Sequence, residues 1–181
     1  IALADLDRVA VVAFADRIVA DFPLTRGKAR ILSLMRFLEN LSLQGSDTNL
    51  AETATAFVHR PQRRGLAIVI SDLFDPSGFQ RGLDRLRYHQ YEPSVVQIYD
   101  RRDAEPDVLG DVELFDIETQ VGNKITVTEK NLKQYRRVFA EFLQSVRNYC
   151  RNHAISCTTT TTDVSFDELI LGMMRASRVV G

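Results

Sequence analysis

The sequence predicts one α/β domain with a doubly wound, mostly parallel sheet and helices on both faces. Three observations carry that prediction. Short, nearly unbroken apolar runs rich in β-formers recur along the chain. Apolar stripes at helical spacing lie between them. Polar cap signals mark where the helices begin.

The runs are RVAVVAF at Arg8 to Phe14, GLAIVI at Gly65 to Ile70 and VVQIY at Val95 to Tyr99. A parallel sheet covered on both faces produces strands of this kind. RIVADF at Arg17 to Phe22 follows the first run after a break at Ala15 and Asp16, a spacing that suits an antiparallel hairpin. Helical spacing appears in Ile31, Met35, Leu38 and Leu41, and in Phe79, Leu83 and Leu86. Its longest case is Leu132, Tyr135, Phe139, Phe142, Val146 and Tyr149. Each stripe needs an apolar face to pack on. Asn49, Ser77 and Ser165 each precede a Glu or Gln by three residues, as capping boxes do, and Thr25 and Thr128 are further candidate caps.

Alternation is interrupted between Asp111 and Thr128. Val112, Leu114, Phe115 and Ile117, then Ile125 and Val127, predict a β-hairpin inserted at about 111–128 and turning near Gly122 and Asn123. A long helix, a strand near Ile155 to Thr161 and a last helix from Ser165 to about Ser177 complete the order. The threonines from Thr158 to Thr162 favour strand through β-branching.

Composition narrows the function classes. The chain has 181 residues, enough to bury about 70% of the surface its unfolded form exposes. A net charge of −1 with mixed signs gives no basic field for nucleic acid. No apolar run approaches a membrane span of ~20 residues. The chain opens at Ile1 within an apolar pattern and is read as a piece of a longer protein. It is expected in the cytoplasm, or at the cytoplasmic face of a membrane if an anchor lies outside these residues. Cys150 on a predicted helix and Cys157 on a predicted strand are read as reduced, partly buried thiols.

In an open parallel sheet, ligands gather beyond the carboxyl ends of the strands. Two segments fall there: Ser71, Asp72 and Asp75 after the GLAIVI strand, and Gly45 to Asn49 entering the second helix. Their hydroxyl and carboxylate oxygens suit a hard cation such as Mg²⁺. The plainer reading is that Asp72 and Thr48 only cap and turn.

The stretches LDRVAVVAFAD, RGKARILSLMRFLENLSLQGSDTNL, RRGLAIVISDLFDPSGF and VVQIYDRRDAEPDVLGDVELFDIET resemble the bacterial domain-of-unknown-function family fifty-eight. That family carries a von Willebrand factor A-like domain. The resemblance covers nearly the whole chain and implies a Rossmann-like sheet with a metal-ion-dependent adhesion site. In that site D-x-S-x-S follows the first strand, a Thr lies in a later loop and an Asp follows the fourth strand. By resemblance Thr48 matches the second element and Asp72 the third. Asp47, Ser71 and Asp75 would form a partner-binding rim. The first element and its central strand have no match in this sequence. The chain as it stands is therefore expected to bind metal weakly or not at all, with Mg²⁺ or another divalent cation held by the full-length protein. Either the two flanking apolar strands pair directly or a second copy of the chain completes the sheet. Asp163-Val-Ser165-Phe-Asp167 nearly spells the missing loop, although the capping box already accounts for Ser165.

The function implied is a non-catalytic protein-interaction module, acting with a MoxR-type AAA+ ATPase. The alternative is a Mg²⁺-dependent phosphoryl-transfer or phosphatase-like enzyme using Asp72 and Asp75. Against it, the two aspartates are three apart where the common pattern has two. Other chemistry finds little support. His59, His89 and His153 are scattered, Ser71 lacks a nucleophile elbow, and no Gly-rich phosphate loop occurs.

Overall fold

The computed structural model describes residues 3, 7–42, 47–61, 63–115 and 122–178. The chain divides into two compact units, 1–64 with 74–89 and 65–73 with 90–181.

The first unit opens with an antiparallel pair, β1 (Arg8–Phe14) and β2 (Ile18–Arg26). Its register runs from Arg8 opposite Arg26 to Phe14 opposite Ile18, with irregularities after Val9 and after Ala13. The strand continues through Thr25, so that residue is part of the ladder and caps no helix. A single 3₁₀ turn leads into α1 (Ile31–Glu39). Its sequence has the expected stripe, yet Ile31, Met35, Leu38 and Leu41 remain 37–49% exposed. Phe37 of α1 does meet Phe22 of β2, with ring centroids 5.6 Å apart.

Helices α2 (Leu50–Val58) and α3 (Gln80–Tyr88) form the core of this unit. Leu50, Ala54, Val58, Leu83 and Leu86 are all buried. Gly82 permits the close approach: a Cβ there would collide with the Leu50 side chain and stand 2.9 Å from its carbonyl oxygen. The Asn49 side chain caps α2 by accepting the Glu52 N–H. Ser77 does not cap α3. The helix starts later, with Phe79 at the cap position, and Ser77 turns back to Asp75.

The second unit holds a three-stranded parallel sheet, ordered β3 (Leu66–Ser71), β4 (Glu92–Tyr99) and β7 (Ser156–Thr161). β4 is central and buried from Pro93 to Gln97. β3 lies at the edge. Leu66, Ile68 and Ile70 on one of its faces are 51–63% exposed, so only β4 is covered on both sides as expected. Among the described residues the ladder of β1 is with β2 and that of β3 is with β4.

After β4 come the short α4 (Arg101–Ala104) and the hairpin β5 (Gly110–Phe115) and β6 (Gly122–Val127). Gly122 and Asn123 pair with Phe115 and Leu114, so both belong to the ladder of the hairpin and not to its turn. Helix α5 (Glu129–Asn152) is capped by Thr128. It buries Phe139, Val146 and Cys150 on one stripe, and the Phe139 ring meets Tyr99 of β4 edge-on at 5.3 Å. The threonines of β7 take the strand position predicted for them, and α6 (Phe166–Arg178) follows. No helix among the described residues is long and apolar enough to cross a membrane.

Candidate functional site

The sequence-predicted oxygen donors are distributed over both units. Asp47, Thr48 and Asp75 belong to the first, Ser71 and Asp72 to the second. Gly45 and Ser46 lie outside the described residues.

In the first unit the loop entering α2 is pinned from two directions. The Asn49 N–H donates to the Ala15 carbonyl just past β1, at 3.0 Å. The Leu50 N–H donates to Asp75 Oδ2 at 2.7 Å. Asp75 thereby places a negative charge on the open amides of the α2 N-terminus, where the helix dipole favours it. Its other oxygen accepts from the Ser77 N–H and hydroxyl at 2.7 and 2.6 Å. The turn is completed by Gly78, whose N–H donates to the Asp75 carbonyl and whose φ of +86° suits glycine. Thr48 is half-buried in the pinned loop and Asp47 is exposed. Asp75, with three hydrogen bonds on its two oxygens, is a scaffold carboxylate. That weighs against it as one of a reactive aspartate pair.

In the second unit Ser71 ends β3 and Asp72 follows it, exposed. The Ser71 hydroxyl accepts the Leu73 N–H at 3.0 Å. Leu73 adopts φ of +65°, the left-handed region, which costs a non-glycine residue about 1–2 kcal/mol. Burial of its side chain, 2% exposed, offsets that cost.

Behind Asp72 stands a buried polar residue that the sequence reading passed over. Gln97 of β4 is fully buried. Its amide nitrogen donates to the Asp72 carbonyl at 3.2 Å, and its oxygen accepts from the Thr159 hydroxyl of β7 at 3.4 Å. Gln97 thus links the central strand to the loop after β3 and to the neighbouring β7. The signal was present, a lone polar residue inside VVQIY, but alternation alone could not say which groups it would meet.

Each strand of the parallel sheet carries an aspartate just past its carboxyl end: Asp72 after β3, Asp100 after β4 and Asp163 after β7. Asp100 caps α4 and is clamped by Arg102, whose Nε and Nη2 reach its two oxygens at 3.1 and 2.8 Å. The side-chain bonds from Arg102, then its backbone N–H, lower the Asp100 pKa to about 2. Asp163 is also lowered, first by a hydrogen bond from the Thr161 side chain. The Ser165 hydroxyl accepts the Glu168 N–H at 3.4 Å, the cap expected from its sequence. Beside β7 lies a cleft of about 350 Å³, lined by Tyr99, Arg147, the threonines 158–161 and the first turns of α6. Among the described residues no three His, Cys, Asp or Glu side chains converge as a metal-binding group.

The profile of a family described as "Protein of unknown function DUF58" matches residues 1–148. An uncharacterized protein of Mycobacterium avium is 29% identical over 127 residues, covering 70% of this chain and 75% of that protein. Two solved structures share the fold. One is the conserved hypothetical protein BatB from Bacteroides thetaiotaomicron. It is 17% identical with a TM-score of 0.52, over 97% of this chain and 82% of that one. The other is an aerotolerance-related membrane protein from Bacteroides fragilis. It is 14% identical with a TM-score of 0.53, over 95% of this chain and 80% of that one.

Proposed function

The chain belongs to the family described as "Protein of unknown function DUF58", and from that premise we propose that it is a non-catalytic interaction module of von Willebrand factor A type, binding protein partners through its strand-end loops. The observation that carries this reading is the hydrogen-bonded loop at the carboxyl edge of the parallel sheet. There the buried Gln97 holds the loop bearing Asp72 from behind, and Leu73 keeps a left-handed backbone just after it. A preorganised loop presenting an exposed carboxylate suits capture of a partner better than turnover.

Thr48 and Asp72 would supply a hydroxyl and a carboxylate to a divalent cation in the full-length protein. Such oxygen donors fit Mg²⁺, which commonly keeps several waters and completes its shell with a carboxylate from another molecule. Asp47 and Ser71 would line the rim, with Asp75 buttressing the α2 loop. The partner proposed is a MoxR-type AAA+ ATPase. The proposed place is the cytoplasm, or the cytoplasmic face of a membrane if an anchor lies outside these residues, and the solved structure of similar fold comes from a membrane protein. A second copy of the chain adding to the open edge of β3 remains part of this reading.

The test is capture of a purified MoxR-type ATPase by the full-length protein in Mg²⁺. Asp72→Ala and Thr48→Ala should each abolish capture with circular dichroism unchanged. Capture that survives both substitutions defeats the adhesion-site mechanism. Steady hydrolysis of a generic phosphate ester, lost in Asp72→Ala, would overturn the non-catalytic reading.

A further inference from the structure

The last turn of α5 and the start of β7 set two cysteines side by side. Cys150 ends the buried stripe of α5 and is 1% exposed, whereas Cys157, the second residue of β7, is half-buried. The reversal between them is tight, with the Ile155 N–H donating to the Cys150 carbonyl at 2.8 Å. Register places Cys157 beside Val95, Thr159 beside Gln97 and Thr161 beside Tyr99. Alternate residues share a face, and Tyr99 on that face meets Phe139 of α5. Cys157 therefore lies under the same helix that carries Cys150. Both are free thiols, and their side chains interact directly.

Their surroundings make the two sulfurs unequal. The contact with the Cys157 sulfur, and then burial, push the Cys150 pKa up. The same contact draws the Cys157 pKa down against its burial, aided by the charge of Arg147. Arg147 sits one turn before Cys150, and its Nε reaches the Thr159 hydroxyl at 3.5 Å. Arg147 and Thr159 also line the cleft beside β7, which is open to solvent. A thiolate with a cationic neighbour and partial access is the attacking kind, and a buried protonated thiol in contact with it is the resolving kind.

We propose that Cys157 and Cys150 form a peroxide-reactive dithiol site, with Cys157 attacking and Cys150 resolving. The Cys157 thiolate attacks one peroxide oxygen and the O–O bond breaks. The departing oxygen leaves as hydroxide or alkoxide and takes a proton from solvent, while Cys157 becomes a sulfenic acid. The Cys150 sulfur then gives up its proton and attacks the Cys157 sulfur. The S–O bond breaks, water leaves and a disulfide joins α5 to β7. The two cysteines lose two electrons and the peroxide gains them. A dithiol reductant reverses the change by exchange.

The experiment treats the reduced, purified protein with hydrogen peroxide and follows thiol content and mass. Both thiols should disappear together, with a mass loss of two hydrogens that dithiothreitol restores. Cys150→Ala should accumulate a sulfenic acid on Cys157 that dimedone traps. Cys157→Ser should leave Cys150 unmodified under the same conditions. Arg147→Gln, a change at an exposed position, should slow the reaction about tenfold with circular dichroism unchanged. Persistence of both thiols in the unmodified protein overturns the proposal. So does first oxidation at Cys150, or an Arg147→Gln rate equal to that of the unmodified protein.

Discussion

Gln97 and Thr53 are both buried polar residues, and their surroundings give them opposite consequences. Gln97 has a partner at each end of its amide. Gln97→Leu would remove both of these hydrogen bonds from the centre of the sheet. It should cost about 1–3 kcal/mol by urea denaturation. Thr53 on α2 is 5% exposed, and its hydroxyl oxygen is buried with no hydrogen-bond partner among the described residues. Thr53→Val keeps the shape and removes the orphan, so the same measurement should show a gain of about 1 kcal/mol. Asp100 gives a pH signature. Its folded pKa of about 2 lies below the ordinary 3.8, so its contribution to stability is present above that ordinary value and is lost as pH falls through 2. A carboxyl NMR titration should place its midpoint near 2, and Arg102→Gln should move that midpoint up.

At the scale of elements, the α2–α3 contact is the most exacting packing in the first unit. Leu83 is fully buried, and Gly82 leaves no room for a Cβ against Leu50. Gly82→Ala improves helix propensity but should still destabilise by about 1–3 kcal/mol, because the collision is partly with backbone. Leu83→Ala should cost about 2–5 kcal/mol through the cavity it opens. Thermal or denaturant melts of the two variants check both values. Local signals identified most elements well. Asn49 and Thr128 cap the helices assigned to them, and the Phe79, Leu83, Leu86 stripe is buried as its spacing implied. Thr25 and Ser77 show the limit. Each has cap chemistry, but β2 runs on through Thr25, and Asp75 recruits Ser77 before α3 begins. Cap residues satisfy whichever backbone or side-chain groups the tertiary fold brings near them.

For the whole molecule, chain order and compact units do not coincide. The first unit takes α3 from residues 80–88, while β3, which precedes α3 in sequence, belongs to the second unit. A truncated chain of residues 1–64 would keep α2 but lose Leu83 and Leu86, the side chains that complete its core. That truncation should lack a cooperative melt and show a poorly dispersed amide spectrum, whereas the intact chain should melt cooperatively and give a dispersed spectrum. The candidate site has the same non-local character. Strand-end positions for Ser71 and Asp72 could be read from the apolar run before them. The pinning of the α2 loop by Asp75 and the link from Gln97 to Thr159 could not. Those bonds join residues 25 and 62 positions apart, and no local spacing encodes them.

From its own residues the sequence determined the longer helices, the strands, the β-strand preference of its threonines and the aspartate that follows the GLAIVI run, whereas the four residues of α4 are too few to carry a periodic stripe. These depend on periodicity and caps, interactions that span a few residues. Tertiary structure alone decided that β4 rather than β3 is covered on both faces, that the α1 stripe stays half open and that Cys150 meets Cys157 under α5. Burial and side-chain pairing depend on which distant segments share a volume, and that is set only when the whole chain has folded.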